Sequence, residues 1–407
     1  MDIEGLRGFI VNLYEGFIPL KAIAPENGGA GEWARARYLL NIVKGLFDEV
    51  KVIEAPDPRV PEGSRPNIVA LIKGSDTSRT LWLIAHMDTV PEGDRSLWSY
   101  EPFKATVVED LIYGRGVEDD GHGIAMGITV AKALRDHGIK PPINYGLILA
   151  SDEETGSNYG IKYVLDHEPG LIKANDLVIV PDAGSPDGSM IEVAEKGILW
   201  VKLVVKGRQA HASAPARGLN AHRLGMMLTL EVDRRLHEVF SDRDPLFTTP
   251  ESTFEPTKVE KNVDNINTIP GLHTVYFDCR ILPKYSIDDV VALIKNTAEE
   301  FCKSHGCSAS VEVVSREDPA PPTPPDSEVV VRLSEAIKAV KGVKPVTMGI
   351  GGGTYARYLR ARGIPAAVWM TASDTAHEPN EYVKISDVLS DVKVILHLIE
   401  NLGEQPH

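Results

Sequence analysis

Apolar and polar positions along the chain follow two rhythms. Up to about residue 195, helical and strand patterns alternate. A helical stretch covers about 30–47 and leads into the short apolar runs KVIEA, NIVALIKG and TLWLIAH. After a long polar loop, Ile124, Ile128, Ala131 and Leu134 recur at helical spacing and predict a helix over 121–138. The buried-strand pattern INYGLILA (143–150), a helix near 159–167 and the strand DLVIV (176–180) complete this part. Strands alternating with helices predict an α/β fold: a mostly parallel, doubly wound sheet with helices on both faces.

Near residue 196 the rhythm changes. ILWVKLVVKG reads as a strand, 219–239 as a helix, and two strands flank NTIPGLHT, one ending near Ile266 and the other being TVYFDCRIL. A helix over 287–304 and the strand SASVEVV follow. That order, β-α-β-β-α-β, is the split βαβ arrangement of a small ferredoxin-like α+β domain. Pro319 to Pro325 then read as a linker back to an α/β remainder. The expected organisation is a discontinuous α/β domain of residues 1–195 and 316–407 with an inserted domain of 196–315.

Composition narrows the function classes. The 407 residues carry 43 Lys plus Arg against 58 Asp plus Glu, a formal net charge of −15. So acidic a chain is a poor ligand for nucleic acid or an anionic membrane. No segment has the length of apolar sequence that spans a bilayer, and MDIEGLRGFIVNLYEGFIPL reads as an amphipathic helix, not a signal peptide. The three cysteines, Cys279, Cys302 and Cys307, are too few for a disulfide scaffold and read as small buried hydrophobes of a reduced, cytoplasmic protein.

In a doubly wound sheet, ligands sit at the carboxyl ends of the strands. TLWLIA runs into His86-Met87-Asp88, INYGLILA into Ser151-Asp152-Glu153-Glu154 and DLVIV into Pro181-Asp182. GRGVEDDG places Asp119 and Asp120 just before a helix, and His377 follows the strand AAVWM in TAHEPNE. Each piece alone is weak: two adjacent Glu are usually a solvated face, and an Asp after a strand is often a helix cap. Together, two His and several carboxylates without Cys suit a pair of borderline divalent ions such as Zn²⁺, Mn²⁺ or Co²⁺.

These motifs resemble the M20 co-catalytic metallopeptidases and deacylases, a family that includes glutamate carboxypeptidases, acetylornithine deacetylase and succinyl-diaminopimelate desuccinylase. The similarity runs over nearly the whole chain: HMDTVPEGD, IYGRGVEDDG, SDEETGS, PDAG, GRQAHASAP with G-x-N-A, NTIPG, FDCR, GGGT and AHEPNE occur in family order. The resemblance implies a phosphorylase/hydrolase-like catalytic domain with an inserted dimerisation, or lid, domain. It implies two divalent ions per subunit, zinc foremost, with cobalt or manganese as alternatives. His86 and Asp182 would bind one, Glu154 and His377 the other, and Asp119 both, with a cis Asp119–Asp120 peptide. Asp88 would hydrogen-bond the His86 imidazole, and Glu153 would be the general base. His211 would polarise the scissile carbonyl in the partner protomer of a homodimer. Asn267, Arg280, Gly352, Gly353 and Thr354 would bind the substrate and its carboxylate, assisted by Arg357.

Some positions depart from the family pattern: His122 where many members carry Lys, Tyr355 where many carry Asp or Ser, and Asp182 where desuccinylases usually carry Glu. The expected substrate is an N-acyl amino acid or small peptide with a free carboxylate, with a dipeptidase or carboxypeptidase as the alternative. Three readings from other classes are weaker. GIGGGT lacks the spacing of a nucleotide-binding fingerprint, no G-x-S-x-G marks a serine hydrolase, and a metal-less scaffold would have no use for the full set of ligands and the base.

Overall fold

The computed structural model describes residues 3–403. Chain order is α1 (Arg7–Phe17), α2 (Trp33–Leu46), β1 (Glu49–Pro56), β2 (Ser64–Ile72), β3 (Asp76–His86), α3 (Gly121–Asp136), β4 (Ile143–Ala150), α4 (Ile161–His167), β5 (Leu177–Ser185) and β6 (Met190–Glu195). Then come β7 (Gly197–Lys206), α5 (Ala221–Val239), β8 (Thr253–Val259), β9 (Leu272–Ile281), α6 (Ile287–His305) and β10 (Ser308–Glu317). The chain closes with α7 (Glu328–Lys341), β11 (Val346–Ile350), α8 (Ala356–Arg360), β12 (Ala366–Thr371) and α9 (Ile385–Asn401). It divides into two compact units. One holds the chain up to Val193, Thr323–Met348 and the chain from Thr354; the other holds Ala194–Pro322 and Gly349–Gly353.

The first unit is built on an eight-stranded sheet of order β1-β2-β4-β3-β5-β12-β6-β11. Its centre is parallel: β4 with β3, β3 with β5, and β5 with β12. β1 and β2 form an antiparallel edge, because only a short loop separates them, and β2 meets β4 antiparallel. The strand β6 had no counterpart in the sequence reading. Both faces of the centre are buried. Trp82 and Ile84 of β3 pack in one cluster with Ile161 and Val164 of α4, with Tyr355, and with Ala356 and Leu359 of α8. The intervening Leu81 and Leu83 are equally buried, and by strand alternation they point to the opposite face, which α3 covers. The N-terminal segment is the amphipathic helix expected, with Ile10, Leu13, Tyr14 and Phe17 buried along one side of α1.

The second unit is a four-stranded antiparallel sheet of order β8-β9-β7-β10, the ferredoxin-like order. Alternate residues Leu199, Val201, Leu203 and Val205 of β7 pack against Leu224, Leu228 and Val232 of α5 and Val290 and Ile294 of α6. Two expectations are corrected here. The strand before NTIPG ends at Val259, and Ile266 lies in an exposed loop; the residues between, EKNVDN, are polar but for Val263 and rich in turn formers. Cys302 and Cys307 are not separate buried hydrophobes but form a disulfide. Gly306, at φ 71°, reverses the chain after α6, so that the Cys307 amide donates to the Cys302 carbonyl and the Cα atoms lie 4.6 Å apart. The argument from unpaired cysteines to a reduced compartment therefore loses its basis. Among the described residues no helix is long and apolar enough to cross a membrane.

Candidate metal centre

Strand register brings the first residues of the site together. The ladder of β3 with β5 last pairs Leu83 with Ile179, three residues before His86 and Asp182, and His86 is level with Ala150, the last residue of β4. Past Ala150 the chain turns through Ser151 and Asp152, and Asp152 sits at φ 64°. A carboxylate side chain tolerates that conformation better than most. Asp152 holds the turn itself, accepting the Tyr159 amide at 2.9 Å and the Thr155 hydroxyl. Asp120 caps α3 through the Gly123 amide and also accepts the His86 amide, each at 3.0 Å. The Asp119–Asp120 peptide is cis.

One carboxylate faces both imidazoles. Asp119 Oδ1 lies 2.9 Å from His86 Nε2, and its Oδ2 lies 3.0 Å from His377 Nε2. Asp182 Oδ1 is 3.6 Å from His86 Nε2, and Glu154 Oε1 is 3.0 Å from His377 Nε2. Two groups have ligand atoms within 4.8 Å of one another: His86, Glu153 and Asp182, and His86, Asp119 and Glu154. Two imidazoles and four carboxylates without a thiol form a donor set that fits borderline divalent cations.

The roles of Asp88 differ in detail from the expectation. The His86 Nδ1 hydrogen bond goes to the Asp88 carbonyl at 2.9 Å, with the Asp88 carboxylate 3.5 Å away. That carboxylate instead accepts the amides of Glu153 and Glu154, both at 3.0 Å. Asp88 therefore fixes the ring by its backbone and the adjacent glutamates by its side chain. The Nδ1–H to carbonyl bond leaves Nε2 as the unprotonated, metal-type atom once a cation is present.

Electrostatics follow from packing so many like charges in a buried place. Burial pushes the Glu153 carboxyl well above its ordinary value, and the charges of Asp182 and Glu154 add to that. Glu154 is raised to about 7 by burial and by Asp119. Burial also disfavours ionised Asp119, but the His377 and His86 hydrogen bonds outweigh it and hold this carboxyl well below the usual range. His377 is raised to about 10 by Asp119 and Glu154. Burial lowers His86, and Asp119, Asp182 and Asp88 more than reverse the effect. The site is thus a sink for positive charge.

The remaining expected residues fall into smaller groups. In the second unit, His211 and Asn267 are brought side by side by a short ladder that pairs Ala210–His211 with Thr268–Ile269, where the Ala212 amide donates to the Asn267 carbonyl at 2.9 Å. His211 is exposed; its Nδ1 accepts the Ser213 amide at 3.1 Å, which puts the ring proton on Nε2. Arg280 is already engaged: Nε and Nη2 reach Asp278 at 2.7 and 3.1 Å, and Nη1 reaches the Gly351 carbonyl at 3.1 Å. Asp278 was not singled out from the sequence, although it stands two residues earlier on the same face of β9. Gly352 and Gly353 follow Gly351 in this second unit. Thr354 and Arg357 are buried in the first unit, where the Thr354 hydroxyl takes the Ala356 amide at 3.1 Å. The helix that follows, α8, has only five residues. Tyr355 was noted only as a departure. It is fully buried and donates its hydroxyl to the Ser151 carbonyl at 2.6 Å, bracing the turn that leads to Glu153.

Comparison with known proteins agrees with this geometry. Residues 82–401 match the model of peptidase family M20/M25/M40. An uncharacterised metallohydrolase of Methanocaldococcus jannaschii is 38% identical, the alignment covering 96% of this chain and 98% of that protein. A succinyl-diaminopimelate desuccinylase of Rickettsia bellii is 26% identical, over 91% of each chain. The crystal structure of aminopeptidase PepT from Bacillus cereus superposes with a TM-score of 0.77 at 20% identity, over 98% of this chain and 99% of that one, a likeness of fold. With a family match spanning most of its length, the chain belongs to peptidase family M20/M25/M40 and is a metal-dependent hydrolase.

Proposed function

We propose that this hydrolase cleaves the amide bond of an N-acyl amino acid or small peptide that carries a free carboxylate. The carrying observation is the Asp119 carboxylate, which faces His86 with one oxygen and His377 with the other. In this reading His86 and Asp182 would hold one divalent cation and Glu154 and His377 a second, with Asp119 available to both. Bound cations supply Lewis-acid polarisation of the scissile carbonyl and make water more acidic. Glu153, with its carboxyl raised by burial, takes the proton of the attacking water and passes it to the leaving amine nitrogen. The partner's His211, with its ring proton on Nε2, would stabilise the developing oxyanion. Arg280 keeps its outer guanidinium edge for the substrate carboxylate while Asp278 fixes its plane.

Distant relatives named desuccinylases support an acyl amino acid, and Asp182 in place of Glu favours deacylase or carboxypeptidase chemistry over strict desuccinylation. Zinc is the expected metal, with cobalt or manganese as substitutes. We also read the chain as a homodimer that pairs through the second unit. β10 is an open sheet edge with Val313 and Val314 exposed, and Met226, Met227 and Leu230 are exposed on α5. Light scattering tests the dimer; a fully active monomer refutes it.

The functional test is hydrolysis of a panel of N-succinyl, N-acetyl and other N-acyl amino acids and dipeptides by chelator-stripped protein, with and without Zn²⁺, Co²⁺ or Mn²⁺. Turnover only with metal is expected. Glu153→Gln should retain both metals and lose activity by about 10²–10⁴-fold. Loss of metal instead would reverse the roles of Glu153 and Glu154.

A further inference from the structure

Two loops that lie far apart in sequence exchange buried carboxylates directly beside the metal centre. Glu381 is fully buried. Its Oε2 accepts Arg115 Nη1 at 2.7 Å and the Gly116 amide at 3.0 Å, while its Oε1 accepts the amides of Glu118 at 2.9 Å and Asp119 at 3.0 Å. In return Glu118, 1% exposed, accepts the Ser373 amide at 2.5 Å and the Thr375 amide at 2.7 Å. Arg115 closes the set with Nη2 on the His377 carbonyl at 3.2 Å. The exchange continues a short antiparallel ladder in which Tyr382 pairs with Tyr113.

Segment 115–119 ends in Asp119, and segment 373–381 contains His377. The His377 side chain is 53% exposed, and its backbone sits at φ 65°. Neither its packing nor its own conformational preference holds it in place. The hydrogen bonds on either side of it do. Five backbone amides and two arginine donors converge on two carboxylates and one carbonyl, all charge-assisted or buried bonds.

We propose that Glu381 and Glu118, with Arg115, are positioning residues that clasp the Asp119 and His377 loops together and so set the affinity of the cation position formed by Glu154 and His377 more strongly than that formed by His86 and Asp182. The inference rests on the metal reading above. β3 and β5 already hold His86 and Asp182 through the sheet, and the Asp88 carboxylate holds the Glu154 amide, so the clasp acts chiefly where His377 contributes.

The test is titration of metal-stripped full-length protein with Co²⁺, following its visible absorption and, by calorimetry, the affinity of each equivalent. Glu381→Gln keeps the volume but places an amide N–H₂ against donors. The expected result is about 10- to 100-fold weaker binding of one equivalent with an altered absorption band, and the other equivalent within about 3-fold of wild type by the argument that the sheet holds it. Two wild-type equivalents with unchanged spectra would overturn the clasp. His377→Ala separates the two levels. If it also keeps both equivalents, the metal reading fails; if it loses one while Glu381→Gln keeps both, only the clasp fails. Should Glu381→Gln not fold, Arg115→Lys, which cannot bridge Glu381 and the His377 carbonyl together, must weaken the same equivalent by several-fold. No change in that variant overturns the proposal.

Discussion

Replacing Asp391 with asparagine tests whether the buried charges of the first unit are as interdependent as they look. Asp391 lies on α9 and is fully buried. Its Oδ2 accepts His122 Nε2 at 3.0 Å and the Thr371 amide at 2.6 Å; its Oδ1 accepts the Thr371 hydroxyl at 2.6 Å and faces Lys341 Nζ at 2.8 Å. An asparagine presents one oxygen and one N–H₂. Whichever way the amide turns, its hydrogens meet a donor that cannot accept: the Thr371 amide or the Lys341 ammonium. The substitution also strips Lys341, 8% exposed at its side chain, of its counter-charge. Breaking a buried pair from one side costs about 3–5 kcal/mol, a large part of a typical domain's stability of about 5–15 kcal/mol. Burial pushes the Asp391 carboxyl up, but the His122 hydrogen bond and the charges of His122 and Lys341 outweigh it and hold it below the ordinary value. A carboxyl that is depressed in the folded state contributes fully above its unfolded value of about 3.9 and loses that contribution as pH falls through the folded value. The wild-type advantage over Asp391→Asn should therefore be full at pH 7 and shrink toward pH 3. The assay is urea unfolding followed by tryptophan fluorescence, since Trp33, Trp82, Trp98 and Trp369 lie in the first unit and Trp200 alone in the second. Asp326→Asn, in an exposed turn of the first unit, is the control and should change stability by no more than about 0.5 kcal/mol. A cost below about 1 kcal/mol for Asp391→Asn, or one equal at pH 7 and pH 3, would refute the reasoning.

Further outcomes follow from other contacts. Tyr355→Phe removes only the hydroxyl that holds the Ser151 carbonyl; kcat should fall about 3- to 30-fold with KM nearly unchanged, and an equal change in KM would point to substrate contact instead. His377, raised to about 10 in the metal-free chain by Asp119 and Glu154, must shed a proton to bind a cation. Zn²⁺ titration at pH 7 in buffers of different ionisation enthalpy should therefore release protons, and metal affinity should fall as pH is lowered; binding without proton release contradicts the assignment. Reducing Cys302–Cys307 opens a short loop at the end of α6 and should cost about 2 kcal/mol in the second unit. Unfolding in the presence and absence of reductant measures this, and a Cys302→Ser/Cys307→Ser variant that is insensitive to reductant is the control.

Much of the site was legible before any coordinates. His86, Asp119, Glu153, Glu154, Asp182 and His377 all stand where an apolar run ends or a helix begins, and runs and ends are local features of sequence. Element types were legible for the same reason: INYGLILA is the strand Ile143–Ala150, and the helix read over 121–138 is Gly121–Asp136. Where the pattern was polar or short it failed. The strand β6 follows a turn of Ser, Pro, Asp and Gly, and the strand read through to Ile266 stops at Val259. The Cys302–Cys307 bridge depends on a left-handed glycine, whose conformation sequence spacing does not report.

The sequence by itself determined which residue types reach the carboxyl ends of the strands, and hence the family and its metal-dependent hydrolysis. Only the tertiary structure decided how they are partnered. It put the Asp88 carbonyl on His86 and the Asp88 carboxylate on Glu153 and Glu154, and it occupied Arg280 with Asp278. It also set Glu381 beneath Asp119 and Asp391 beneath His122, across separations of 262 and 269 residues. The physical reason is that a hydrogen bond's partner and a carboxyl's affinity for its proton depend on burial and on atoms within a few ångströms, and chain folding brings those atoms from anywhere in the sequence.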